Sequence, residues 1–223
     1  MHPAVALGAL ELDALTELVN LGVSRAAGNL RTMVGAEVLL SVPSVEIVTH
    51  AQAAQIIGDR EPEKLVAVHQ MFEGDLSGRA LLIFPEANSL ELVRAVTGGA
   101  LPLEDIIDLE AEALAETGNI ILNGCLATIA NMLQRTLHIS LPEILHGSGV
   151  EIFGLSAAPS VASSAAPSEG AVLFLYINFS VKYRNIKGYI AVLMDMPSLT
   201  ILKTLIGSLI QRAGDAHGNH ATS

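Results

Sequence analysis

Residues 10–43 recur at 109–142 without a gap, an internal duplication that leads us to expect a chain built as two copies of one unit. Nine of the 34 aligned positions are identical: Leu10/Leu109, Glu11/Glu110, Ala14/Ala113, Leu15/Leu114, Glu17/Glu116, Asn20/Asn119, Met33/Met132, Ser41/Ser140 and Pro43/Pro142. At average residue usage about two identities would arise by chance. Several mismatches, such as Val23/Leu122 and Val42/Leu141, exchange one apolar residue for another. Within the repeat lies a polar pattern, Glu-x-x-Asn-x22-Pro, with an acidic residue four positions before each Glu. The first copy is Asp13, Glu17, Asn20 and Pro43; the second is Glu112, Glu116, Asn119 and Pro142.

The periodicity places this pattern on helices. Leu12, Leu15, Val19, Val23, Ala26, Leu30 and Met33 follow a helical rhythm over residues 10–34, and Gly35 supplies a stop. A strand is predicted over 37–48, bent or placed at an edge by Pro43. A short helix follows over 51–57, then a hairpin of strands 65–73 and 79–84, then a helix from 88 or 89 to Gly98. The second half repeats the order: a long helix over 105–137, extended chain to Pro142, a hairpin of strands 171–182 and 188–194 turning at 183–187, and a helix over 198–209 opened by Pro197. Residues 155–170, rich in Ser, Ala and Pro, are predicted to be a flexible loop, and 213–223 a disordered tail.

Hairpins in both halves argue for an α+β fold: a pseudo-two-fold, duplicated domain with a mainly antiparallel sheet and long amphipathic helices packed on it. The expected domain spans 8–212, in repeats of about 8–100 and 105–212. Twelve basic against 23 acidic residues give a net charge of −11, which argues against nucleic acid as a partner. Mean hydropathy is high at +0.50, yet no uninterrupted apolar run reaches the roughly 18 residues of a membrane span. A single cysteine, Cys125, and no basic leader segment fit a reducing cytoplasm.

On a helical wheel Asp13, Glu17, Asn20 and Ser24 fall about 140° from the apolar stripe. Glu112, Glu116, Asn119 and Asn123 do the same in the second helix, whose inward stripe is Leu114, Leu122, Cys125, Ile129 and Met132. Leu21 and Ile120 flank the two ridges as exposed apolar residues. A carboxylate and an amide beside an apolar spot suit a surface that docks another protein; an ordinary solvated helix face has the same polarity. Asn is the unusual choice there, since it is a poor helix former.

Other chemistries lack their residues. Cys125 is followed six positions on by Asn131 rather than the Arg of a cysteine phosphatase, and it lies on the inward stripe. The histidines show no metal-ligand spacing. Neither a Gly-rich phosphate loop nor a nucleophile elbow is present. An enzyme of this composition must take most of its chemistry from its substrate.

The duplicated Asp/Ser-x3-Glu-x2-Asn-x22-Pro pattern resembles the signature of the CheC, CheX and FliY group of chemotaxis phosphatases, over about residues 8–212. The first copy matches fully; the second has Glu112 where the family has Asp or Ser. Two copies at this length look like the CheC branch. The resemblance implies hydrolysis of the phosphoaspartate on a CheY-like response regulator, with no cofactor on this chain and Mg²⁺ supplied by the receiver. It implies that Asn20 and Asn119 orient the attacking water, that Glu17 and Glu116 pair with a receiver Lys, and that Asp13, Glu112, Leu21 and Ile120 dock the partner. Pro43 and Pro142 would shape the strand beside each helix. On this reading both Asn are dispensable for folding. The other reading is a catalytically weak adaptor for a CheD-type receptor deamidase or a flagellar-switch component.

Overall fold

The computed structural model describes residues 7–35, 37–96, 103–154, 171–181 and 184–218. Helix α1 covers Ala9–Val34 and ends where Gly35 adopts the left-handed conformation, φ 63°. Strand β1 (Val38–Thr49) leads into α2 (His50–Arg60), capped by the Thr49 hydroxyl. The hairpin β2 (Leu65–Gly74) and β3 (Gly78–Pro85) precedes α3 (Glu86–Val96). The second half runs α4 (Leu103–Met132), β4 (Leu137–Ile139), β5 (Glu143–Gly147), α5 (Gly149–Ile152), β6 (Ala171–Val181), β7 (Arg184–Met194) and α6 (Met196–Gly218).

Among the described residues seven strands form one antiparallel sheet, ordered β1-β6-β7-β3-β2-β4 with β5 also on β2. The two hairpins meet at β3 and β7 in the middle. Each half's remaining strand crosses over: β1 pairs with β6, while β4 and β5 pair with β2. The α+β class with an antiparallel sheet and long packed helices is as the sequence predicts.

Strand alternation divides the core between the sheet's two faces. Val66, Val68 and Phe72 of β2, with Ala80, Leu82 and Phe84 of β3, meet α1, α3, α4 and α6. Leu65, Ala67, Leu81 and Ile83 face the other way, onto Ala53, Ala54 and Ile57 of α2 and Phe153 after α5. Helices α1 and α4 cross in contact: a Cβ on Gly22 would lie 2.7 Å from Cys125 Cα, and one on Gly124 would lie 2.9 Å from Ala26 Cβ. Gly22→Ala is therefore expected to cost about 1–3 kcal/mol through overpacking against a backbone. A denaturant midpoint measures this, and an unshifted midpoint would mean the helices part easily. Residues 109–132 of α4 are long and apolar enough to cross a membrane by composition, but 56% of the qualifying window is buried within the fold.

Several boundaries differ from the sequence reading. Helix α4 stops at Met132 rather than 137, because Gln134 turns left-handed at φ 57°. Met132, placed on the inward stripe, is exposed at that helix end. Strand β7 begins at Arg184, paired with Val181, so the expected 183–187 turn is mostly ladder. Helix α6 starts at Met196, with Asp195 Oδ1 accepting from the Ser198 amide, and continues to Gly218 where a disordered tail is expected from 213. Residues 219–223 and the predicted flexible loop 155–170 lie outside the described residues.

Candidate functional site

Both Asn residues sit where a helix passes over an interrupted edge strand. In the first half the ladder between β1 and β6 skips from Ser41/Asn178 to Ser44/Tyr176, a bulge occupied by Val42 and Pro43. Proline has no N–H for the ladder, and the bulge leaves Val42 without strand partners. Asn20 satisfies both of its backbone groups: the Val42 amide donates to Asn20 Oδ1 at 3.1 Å, and Asn20 Nδ2 donates to the Val42 carbonyl at 3.3 Å. Val42 itself is tucked in, 3% exposed. Asn20 is half-buried and turned onto β1, not standing free on a ridge.

The second half breaks at the corresponding place, between β4 and β5, where Leu141 and Pro142 interrupt pairing with β2 while the Ser140 amide still donates to the Met71 carbonyl at 2.9 Å. Its solution differs. Leu141, the counterpart of Val42, is thrown outward and 85% exposed. Gln70 of β2 bridges the gap, its Nε2 donating to the Ser140 carbonyl at 2.9 Å and to Asn119 Oδ1 at 3.0 Å. Asn123, one turn along α4, donates from Nδ2 to the same Asn119 oxygen at 2.8 Å. Asn119 thus has its carbonyl held by two donors, while its Nδ2 has no partner among the described residues. The two copies of the motif are alike in sequence and unlike in hydrogen bonding.

The carboxylates of the motif keep the surface positions expected of them. Asp13, Glu17, Glu112 and Glu116 are exposed, as is Ser24. Leu21 is exposed, whereas Ile120 is half-buried and packs against the core, so it is not the exposed apolar flank that the wheel suggests. Helix α4 lies close on β2 at this point: a Cβ on Gly118 would stand 2.5 Å from the Val68 side chain. Pro43 and Pro142 mark the two strand interruptions.

Sequence reasoning missed Gln70, Ser140 and Leu141 as parts of the site. Gln70 left a signal: it is the polar member of the inward series Val66, Val68, Gln70, Phe72. Cys125 is fully buried, and burial pushes its thiol up to about 12, so it carries no thiolate chemistry at neutral pH. Among the described residues no group of three His, Cys, Asp or Glu is placed to hold a metal ion.

No protein-family model matches the chain. It is 22% identical over 204 residues to the CheY-P phosphatase CheC of Bacillus subtilis, covering 89% of this chain and 94% of that relative. It is 27% identical over 143 residues to the putative CheY-P phosphatase CheC1 of Halobacterium salinarum, covering 63% and 71%. The chain is similar in sequence to members of the CheC/CheX/FliY group. It is also 22% identical over 206 residues to the flagellar motor switch phosphatase FliY of B. subtilis, of which it spans half the length. Among solved structures, Thermotoga maritima FliY shares the fold with a TM-score of 0.68 at 17% identity, over 92% of this chain and 100% of that one. FliM in the FliM-SpeE complex of H. pylori shares it at 0.60 and 10% identity, over 91% and 97%.

Asn20→Ala removes both partners of the bulge and leaves Val42 unpaired, at an expected cost of about 1–3 kcal/mol. That replaces the expectation that both Asn are dispensable for folding. Urea denaturation of the single variants tests it, with Asn20→Ala losing more stability than Asn119→Ala, whose oxygen is only an acceptor for Gln70 and Asn123.

Proposed function

We propose that this chain hydrolyses the phosphoaspartate of a CheY-like receiver domain, and that Asn119 carries the reaction. The observation behind the choice is the asymmetry of the two amides: Asn119 has its oxygen anchored and its amino group free, whereas both ends of Asn20 are engaged by Val42. Supporting the reaction class are a relative named as a CheY-P phosphatase, similar over 89% of this chain, and a putative one, similar over 63%.

An acyl phosphate on aspartate is already activated, and the receiver brings its own Mg²⁺ and a Lys to neutralise phosphoryl charge. What remains for the second protein is positioning and electrostatic stabilisation. Asn119 Nδ2 donates one N–H to a water oxygen. This holds the water in line with the phosphorus and leaves a lone pair for attack. As the new oxygen–phosphorus bond forms, the bond to the aspartyl oxygen breaks, the carboxylate leaves, and the water proton passes to a phosphoryl oxygen or to bulk water. The second N–H of Asn119 can donate to a phosphoryl oxygen as charge spreads over it. Such positioning is worth several kcal/mol, up to about 7–11 in favourable systems.

Glu116, one turn before Asn119 and exposed, pairs with a receiver Lys and fixes the register of α4 on its partner. Glu112 and the protruding Leu141 extend the contact on either side. Glu17, Asp13 and Leu21 form the corresponding surface on α1, suited to docking in the first half. The reaction takes place in the cytoplasm, where receivers act.

The test is decay of a phosphorylated CheY-type receiver with Mg²⁺, the receiver in excess over this chain. The expected result is accelerated decay over many turnovers per chain. No acceleration with any cognate receiver would leave the adaptor reading, with a CheD-type deamidase or a switch component as partner and the two ridges as binding surfaces.

A further inference from the structure

Gln70 is fully buried, and its Oε1 has no hydrogen-bond partner among the described residues. Leaving a buried amide half satisfied is destabilising, and a position flanked by Val68 and Phe72 on the same face would pack an aliphatic residue without that cost. The other half of the molecule has made that substitution. Glu143 pairs with His69 and Ile139 with Phe72; their repeat counterparts, Ser44 and Leu40, pair with Tyr176 and Phe179. Both sides of the strand break therefore equate Gln70 with Ile177, which is 1% exposed in the same core layer. Over Ile177, Asn20 turns to the strand backbone; over Gln70, Asn119 does not.

The orientation of Asn119 follows from one backbone carbonyl. Ser140 O can only accept, so the Gln70 atom against it is Nε2. That same nitrogen faces Asn119, so the Asn119 atom against it is the oxygen, and Asn123 must offer Nδ2 to it. We propose that Gln70 is a positioning residue for Asn119: anchored by Ser140, it holds the Asn119 carbonyl inward and leaves the Asn119 amino group for the reacting water and phosphoryl oxygens. This rests on Asn119 being the working residue of a receiver phosphatase.

Gln70→Ile, which installs the residue of the other half, is the direct test. With saturating phosphorylated receiver, the maximal rate is expected to fall about ten- to a hundredfold, the scale that a small misplacement of a catalytic group produces. The apparent affinity for receiver stays unchanged, and in an Asn119→Ala background the same substitution adds no further loss. An uncharged variant of similar length, Gln70→Met, guards against misfolding. Its thioether has no N–H to offer Asn119, so the maximal rate is expected to fall as in Gln70→Ile, compared at equal concentrations of folded protein. A full maximal rate in Gln70→Ile, or an equal further loss on top of Asn119→Ala, overturns the proposal. If Asn119→Ala itself loses nothing, the phosphatase site has been misassigned and the proposal falls with it.

Discussion

Asn119→Ala is expected to slow receiver dephosphorylation by about a hundredfold or more while the protein stays folded, the range seen when one positioned hydrogen-bond donor is lost from an active site. The side chain is an acceptor for Gln70 and Asn123 but supports no backbone group, so its truncation leaves the strand break at Leu141–Pro142 still bound through Gln70 to Ser140. Binding should survive for the same reason. A receiver locked in its phosphorylated form by beryllofluoride meets Glu116, Glu112 and Leu141, none of which is changed. The expected signature is thus a lost maximal rate with an unaltered dissociation constant, the mark of an interaction made in the transition state rather than the ground state. Equal loss of binding and rate would make Asn119 a docking residue and return weight to the adaptor reading.

Gly118→Val is expected to damage both the fold and the site. A Cβ there would stand 2.5–2.6 Å from three carbons of Val68, a distance that carbon atoms do not tolerate. Val68 is β-branched, locked on a central part of β2 and 1% exposed, so it has no rotamer into which to retreat. Relief must come from lifting α4 off the sheet, at a cost of about 3 kcal/mol or more. The next residue is Asn119, and lifting the helix stretches its 3.0 Å bond to Gln70. Activity per folded molecule should fall together with the denaturant midpoint. Gly118→Ala should show the same pattern in milder form. A valine variant with wild-type stability would mean that α4 does not bear on β2 at this point, and the site geometry would have to be redrawn.

The sequence shows the duplication, the helix carrying each motif and the order of the elements, because long amphipathic helices and hairpins announce themselves through periodicity. It also contains one answer that local rules miss. Helix α4 has no glycine or proline near its end, and its stop looks open as far as Leu137. Gly35 ends α1 in the left-handed conformation, and a shift of 99 residues carries it to Gln134, which adopts the same conformation without being glycine. The repeat predicted the boundary better than the residue type.

The site is harder to read. On a wheel, Asn20 and Asn119 look equivalent, and their difference comes from what lies beneath them. Those residues, Gln70 and Ile177, are 107 positions apart, whereas the motif repeats at 99. The register that equates them exists only once β1 has paired with β6, and β4 and β5 with β2. Val42 and Leu141 are a conservative apolar pair in the alignment, yet one is buried and the other protrudes. No periodicity distinguishes them. The difference arises because Asn20 holds the Val42 backbone in place, while Gln70 grips Ser140, one residue earlier.

The measurement that bears most directly on this account is receiver dephosphorylation by the single variants Asn20→Ala and Asn119→Ala, compared at equal concentrations of folded protein. Two interchangeable sites would each contribute about half of the wild-type rate. A single working site predicts that Asn119→Ala loses nearly all activity, and that Asn20→Ala, though less stable, keeps nearly all of it. Equal losses in the two variants, or a larger loss in Asn20→Ala, would contradict the assignment of the reaction to Asn119.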